Sequence, residues 1–130
     1  MGARMRAILD TSVVIASDVE PLDGELAISI ITLAELHFGV LVAKRIPVRA
    51  ERLRRLLKLQ RTFDALPLDE AVAASYGQVA AAVVDAGRKP RARSMDLLIA
   101  VTAHAHSARL YTRNRDDFEG LADLVEVVAV

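Results

Sequence analysis

Arg6-Ala7-Ile8-Leu9-Asp10-Thr11-Ser12-Val13-Val14-Ile15-Ala16 is an apolar run that ends in one carboxylate, passes through two hydroxyls and turns apolar again. A short apolar run bounded in this way reads as a buried strand that delivers Asp10 at its carboxyl end. In an open α/β sheet, ligands bind outside the carboxyl ends of the strands. Asp10 therefore stands where chemistry would sit, and the question is which later residues are brought to it.

Outward from that strand, Thr11 or Ser12 is expected to cap a short helix over residues 13–16. Residues 17–24 hold Pro21 and Gly24 and read as a loop. A short strand follows at 26–29. Thr32 is the expected N-cap of a helix over 33–43, with Glu35 three residues on as in a capping box. That helix is apolar on nearly every side except at Glu35 and His37, and Pro47 is expected to end it. Residues 49–62 form an amphipathic helix, with Leu53, Leu56 and Leu57 on one face and Arg52, Arg55 and Lys58 on another. A brief extended piece at 63–68 contains Pro67. Asp69 caps an alanine-rich helix over 70–86, stopped by Gly87. Residues 88–93 are a basic loop with Pro90, and Ser94 caps a helix over 95–106 whose first turn carries Asp96. A strand at 110–112 leads into a polar turn at 113–117, and a last strand spans 124–130. Strands alternating with helices predict an α/β chain with a mainly parallel sheet covered on both faces. The length suits one domain over residues 1–130.

The chain has no cysteine, which excludes disulfides, zinc ribbons and cysteine nucleophiles and fits a reducing compartment. No apolar run approaches the ~18 residues that cross a bilayer. Arg4 and Arg6 precede only a short apolar segment, which argues against a signal peptide. The expectation is a soluble, cytoplasmic protein. Seventeen basic and seventeen acidic residues cancel, so no overall attraction to nucleic acid exists. The distribution is uneven all the same. Eight basic residues between Lys44 and Arg61 face Glu51 alone, and Arg88, Lys89, Arg91 and Arg93 form a second group. A neutral total can hide a basic surface beside an acidic pocket.

Each remaining carboxylate has an ordinary explanation. Glu35 and Asp96 are acids near helix starts, where the macrodipole favours them. Asn114, Asp116 and Asp117 are residue types that form turns. Their placement together is less ordinary. Asp10 and the 113–117 turn leave strand ends, while Glu35 and Asp96 open helices that follow strands, and in an open sheet those positions meet on one edge. Crowded carboxylates repel, and each unpaired buried one costs several kcal/mol. A divalent cation resolves the conflict, and oxygen ligands without Cys or His favour magnesium, with manganese able to substitute, over zinc.

Ile8-Leu9-Asp10-Thr11-Ser12, Thr32-Leu33-Ala34-Glu35-Leu36 with Gly39, Asp96-Leu97-Leu98-Ile99-Ala100, and Thr112-Arg113-Asn114 with Asp117-Phe118 resemble the motifs of PIN-domain ribonucleases. The nearest group is the VapC-type toxins of bacterial toxin–antitoxin pairs. Four motifs match in order across essentially the whole chain. The resemblance implies a three-layer α/β/α sandwich and a magnesium-dependent endoribonuclease. By the match, Asp10, Glu35 and Asp96 correspond to three invariant acids. Many relatives have an acid at Asn114; others carry Asn there and use the Asp of the Asp-Phe pair. Asp117 is accordingly taken as the fourth acid and Asn114 as a polar supporter, with Asp116 the alternative. Asp10 and Asp96 are expected as direct metal ligands, and Glu35 and Asp117 as ligands through water or holders of a second ion. Thr11, Ser12 and Thr112 would orient these groups. The resemblance also implies a homodimer and a VapB-type antitoxin lying in a groove and blocking the site. Core packing is the alternative account of the apolar 33–42 stretch.

The basic loop of Arg88, Lys89, Arg91 and Arg93 leads into Asp96 and is the expected RNA contact. The Lys44–Arg61 group is expected to be a solvated helix face. His104 and His106 do not share a helix face, which points to solvated side chains and not to a metal pair. His37 is expected to be partly buried or at an interface. Two other functions compete. An aspartate-nucleophile phosphatase would want a second acid two residues after Asp10, where Ser12 stands. A PIN-fold binding module without activity would not need its acids intact.

Overall fold

The computed structural model describes residues 5–130, so Arg4 lies outside the described residues. Five strands form one parallel sheet: β1 (Arg6–Leu9), β2 (Glu25–Ser29), β3 (Ala65–Leu66), β4 (Arg109–Thr112) and β5 (Val127–Ala129). Their order is β3-β2-β1-β4-β5. β1 is therefore central; the chain first winds outward to β3 on one side, then returns to build β4 and β5 on the other. The reversal falls between β1 and β4, which pair Ile8 with Leu110. In such sheets the crevice at the reversal is the binding place, because the loops leaving the two strands diverge there.

The period-2 alternation of β1 feeds two cores. Ile8, with Ala27 and Leu110, joins Val79, Ile99 and Val101 under α4 (Glu70–Asp85) and α5 (Ser94–Ala105). Ala7 and Leu9, with Ile28 and Tyr111, join Leu33, Val40 and Leu56 under α2 (Ile30–Val42) and α3 (Ile46–Thr62). The short α1 (Thr11–Val14) contributes Val13 to the second core. Helices thus cover both faces, giving the expected α/β/α sandwich. Each buried aliphatic side chain contributes about 1.5–3 kcal/mol.

Several helix boundaries differ from expectation. α1 starts at Thr11 with Asp10 as its N-cap, and no side chain caps it. The hydroxyls of Thr11 and Ser12 are engaged in other bonds. α2 starts at Ile30, capped by Ser29, whose oxygen accepts from the Ile31 amide at 3.1 Å. Thr32 is therefore not a cap, and Glu35 lies in the second turn instead of in a capping box. Pro47 opens α3 instead of ending α2, a position where its missing N–H costs nothing. α5 begins at Ser94 itself, with Arg93 at the N-cap, and Ser94 Oγ donates to the Arg91 carbonyl. Asp69 caps α4 as expected, accepting from the Val72 amide at 3.0 Å. Gly87 follows at φ +79°, the left-handed conformation that stops a helix cheaply. On α3, Leu56 and Leu59 are buried while Leu53 and Leu57 are about half exposed, so the inner face is rotated from the expected one. The histidines also differ. His104 Nδ1 lies 2.8 Å from Ser75 Oγ, Arg6 donates to His106 Nδ1 at 3.0 Å, and His37 is exposed. No helix among the described residues is long and apolar enough to cross a membrane.

Candidate metal centre

Asp10 leaves β1 at the reversal point and is only 4% exposed. Such a carboxylate needs donors, and two hydroxyls supply them. Ser12 Oγ donates to Asp10 Oδ2 at 2.7 Å, and Thr112 Oγ1, at the end of β4, donates to the same oxygen at 2.9 Å. Both bonds fall on Oδ2, which leaves Oδ1 for another partner. Thr112 is fully buried, and its oxygen also accepts the Asn114 amide at 3.0 Å. β1 and β4 are thus tied together through the carboxylate at their carboxyl ends.

Glu35 comes from α2, one turn after Thr32. Thr11 Oγ1 donates to Glu35 Oε1 at 2.7 Å and lies 3.0 Å from Thr32 Oγ1. Residues three apart on a helix share a face, so Thr32 and Glu35 reach the same threonine. Thr32 was absent from the candidates drawn from sequence. Its place one turn before Glu35 was the available signal, obscured by the capping-box reading.

Asp96 lies in the first turn of α5, and Asp117 in a 3₁₀ turn (Arg115–Phe118) after β4. Arg93 joins them: its Nη1 is 2.7 Å from Asp117 Oδ1 and 3.7 Å from Asp96 Oδ2. Burial pushes the Asp96 carboxyl above its ordinary value, and the charges of Asp10, Asp117 and Glu35 push it further in that order, while Arg93 opposes them. Three acids from three other parts of the chain thus act electrostatically on Asp96. Asp116 points elsewhere: it is exposed and lines a separate cleft with Arg115 and Glu126. Asn114 is exposed and reaches the cluster through its backbone amide.

Of the four basic loop residues, Arg88 is paired with Glu119 and Arg93 with the two acids. Lys89 and Arg91 have no ion pair among the described residues. On the opposite flank, Arg52 and Arg55 of α3 line a cleft with Thr11 and Glu35. The Lys44–Arg61 group is exposed as expected, and part of it also borders the acidic cluster.

Among the described residues, no three Asp, Glu or His side chains form a ready-made metal cage. Asp10, whose two hydroxyl bonds fall on one oxygen, and Asp96, whose carboxyl is raised by burial and by the charge of Asp10, could serve as oxygen ligands to a cation.

A family model described as PIN domain matches residues 7–124. Ribonuclease VapC5 of Mycobacterium tuberculosis is 34% identical over 131 residues, which cover 95% of this chain and 94% of that one. The crystal structure of VapBC-5 from Mycobacterium tuberculosis, a member of the VapBC family of toxin-antitoxin systems, matches with a TM-score of 0.85 at 34% identity, over 97% of this chain and 99% of that one. The crystal structure of FitAcB from Neisseria gonorrhoeae matches with a TM-score of 0.74 at 30% identity, over 93% and 95% of the two chains.

Proposed function

The chain belongs to the PIN-domain family, and from that premise we propose that it is a metal-dependent endoribonuclease, the toxin of a type II toxin–antitoxin pair. The observation that carries the reading is the gathering of four carboxylates at the carboxyl end of the sheet, with Asp10 held by Ser12 and Thr112, Glu35 by Thr11, and Asp96 and Asp117 bridged by Arg93. A fold does not gather like charge at the mouth of its sheet for stability.

Asp10 and Asp96 would hold magnesium, or manganese in its place, directly; Glu35 and Asp117 would hold it through water. Bound there, the ion supplies a Lewis acid for the phosphate and a nucleophile available at neutral pH. The chain's own residues do the rest. Ser12 and Thr112 fix the rotamer of Asp10 through Oδ2. Thr11 holds Glu35 toward the cluster. Arg93 pairs with Asp117 at 2.7 Å and stands beside the place where a phosphate would lie. Lys89 and Arg91, without ion pairs of their own, would hold the flanking phosphates of the RNA. Asn114 lends its backbone amide to Thr112.

The alternative of an aspartate nucleophile finds no support, since the position two after Asp10 is a serine whose hydroxyl binds the carboxylate. Exposed Phe38 and Leu41 on α2, with Ile46 on α3, support a protein partner. We assign that role to a second copy of the chain and to a VapB-type antitoxin. The 1–130 chain would act as a single nuclease domain in the cytoplasm. The test is cleavage of a single-stranded RNA pool by purified protein. Cutting with Mg²⁺ that stops in EDTA, and that is lost in Asp10→Asn and Asp96→Asn proteins of unchanged fold, is expected. Cutting by Asp96→Asn at the wild-type rate would refute the assignment.

A further inference from the structure

Beside the acidic cluster lies a second cleft, of about 250 Å³, which shares Arg93 and Asp117 with it. Its walls are apolar: Val83 from α4, Leu97 from α5, and Phe118 and Leu121 from the segment after β4. All four are core residues, so the walls are held rigid by packing on the inner side. Its rim is charged. Arg88 and Glu119 pair across one edge, and Lys89 lies on another.

We propose that this cleft is a nucleobase subsite, receiving the base next to the cleaved phosphate of the RNA strand. The inference rests on the ribonuclease reading and extends it to the way the strand is held. Single-stranded RNA is read by seating unstacked bases against apolar or aromatic side chains and by bonding their edges. The cleft supplies apolar walls for the flat faces, and the carboxylates of Asp117 and Glu119 can accept amino N–H groups on a base edge. Lys89 at the rim is free to take the phosphate that follows. Continuity fixes the occupant. Arg93 and Asp117 line both the cleft and the acidic cluster, so a base seated there brings its own phosphodiester to Asp96. An apolar side chain of a partner protein would use the walls but leave Lys89 at the rim without a counterpart.

Ala92 lines the cleft from the 3₁₀ turn Pro90–Arg93 and is solvent-exposed there, so a larger side chain fills the cleft without disturbing the core. The experiment compares Ala92→Trp and the smaller filler Ala92→Leu with wild type, using Mg²⁺ and a randomised single-stranded RNA pool whose cleavage ends are sequenced. Wild type should prefer particular bases at one position beside the cut. Ala92→Trp should raise KM about tenfold or more and flatten that preference, with kcat, melting temperature and Mn²⁺ affinity near wild type. Ala92→Leu should show the same changes in smaller measure. Unchanged KM and unchanged preference in folded variants would overturn the subsite while leaving the ribonuclease intact. Loss of antitoxin binding alone would overturn it too, by making the cleft a protein seat. A wild-type protein that binds Mn²⁺ yet cuts no RNA would instead remove the ribonuclease reading, and the subsite with it.

Discussion

Asp96 sits in a partly buried place that already feels Asp10, Asp117 and Glu35, and its carboxyl is pushed above the ordinary value of 3.8. A group whose folded pKa exceeds its unfolded value stabilises the fold most when protonated, and that stability is lost as pH rises through the folded pKa. At neutral pH without metal, Asp96 is therefore a liability. The Asp96→Asn protein should melt a few degrees higher than wild type in EDTA at pH 7.5, with the gap closing on acidification toward pH 4. Calorimetry on both proteins checks this, and a lower melting point at pH 7.5 would contradict it. Thr112 acts from behind the cluster, since its hydroxyl is the buried donor to Asp10 Oδ2. Thr112→Val should weaken Mn²⁺ binding by roughly 10–100-fold, as loss of a partner that orients a ligand does. Asp10 was legible as the acid at the end of a buried strand. Thr32 was not, because a Thr three residues before a Glu fits a capping box as well as it fits a shared helix face.

At the scale of elements, the alternation of strands and helices and the parallel sheet were legible from hydrophobic pattern, turn residues and the Asp69 and Gly87 signals. Two of the misplaced starts, those of α1 and α2, share one cause. α1 and α2 follow their strands with no loop between, and a cap buried in the junction carries no polar spacer to mark it. Ser29 is such a residue, fully buried, accepting from the Ile31 amide and from Thr102 Oγ1 at 3.2 Å. Ser29→Ala should cost about 1–2 kcal/mol in urea unfolding, because it removes a cap and a buried bond to Thr102, whose hydroxyl keeps its bond to the Leu98 carbonyl at 2.8 Å. A loss below about 0.3 kcal/mol would show that neither bond matters. α3 was read with the right period and the wrong phase. Leu53, Leu56 and Leu57 lie close enough on a helical wheel that only contact with the sheet decides which faces in.

Across the whole molecule, Phe38 and Leu41 on α2 and Ile46 on α3 are 68%, 72% and 82% exposed. Large apolar side chains gathered this way cost solubility unless a partner covers them. In light scattering the wild-type protein should have twice the chain mass, and Leu41→Glu should reduce it to one chain without lowering the melting temperature. A wild-type monomer would remove the dimer from the account. The acidic cluster is likewise a property of the whole fold, since its members come from the ends of β1 and β4 and the starts of α2 and α5. No local segment shows their nearness, and only the order β3-β2-β1-β4-β5 converts four separate signals into one place. That these acids hold a metal is the central claim, and titration of Mn²⁺ into wild type, Asp96→Asn and Asp116→Asn at pH 7.5 tests it most directly. The Asp96→Asn protein should bind more than about 100-fold more weakly than wild type, while Asp116→Asn, outside the cluster, should bind as wild type does. Equal affinity in wild type and Asp96→Asn would contradict the account.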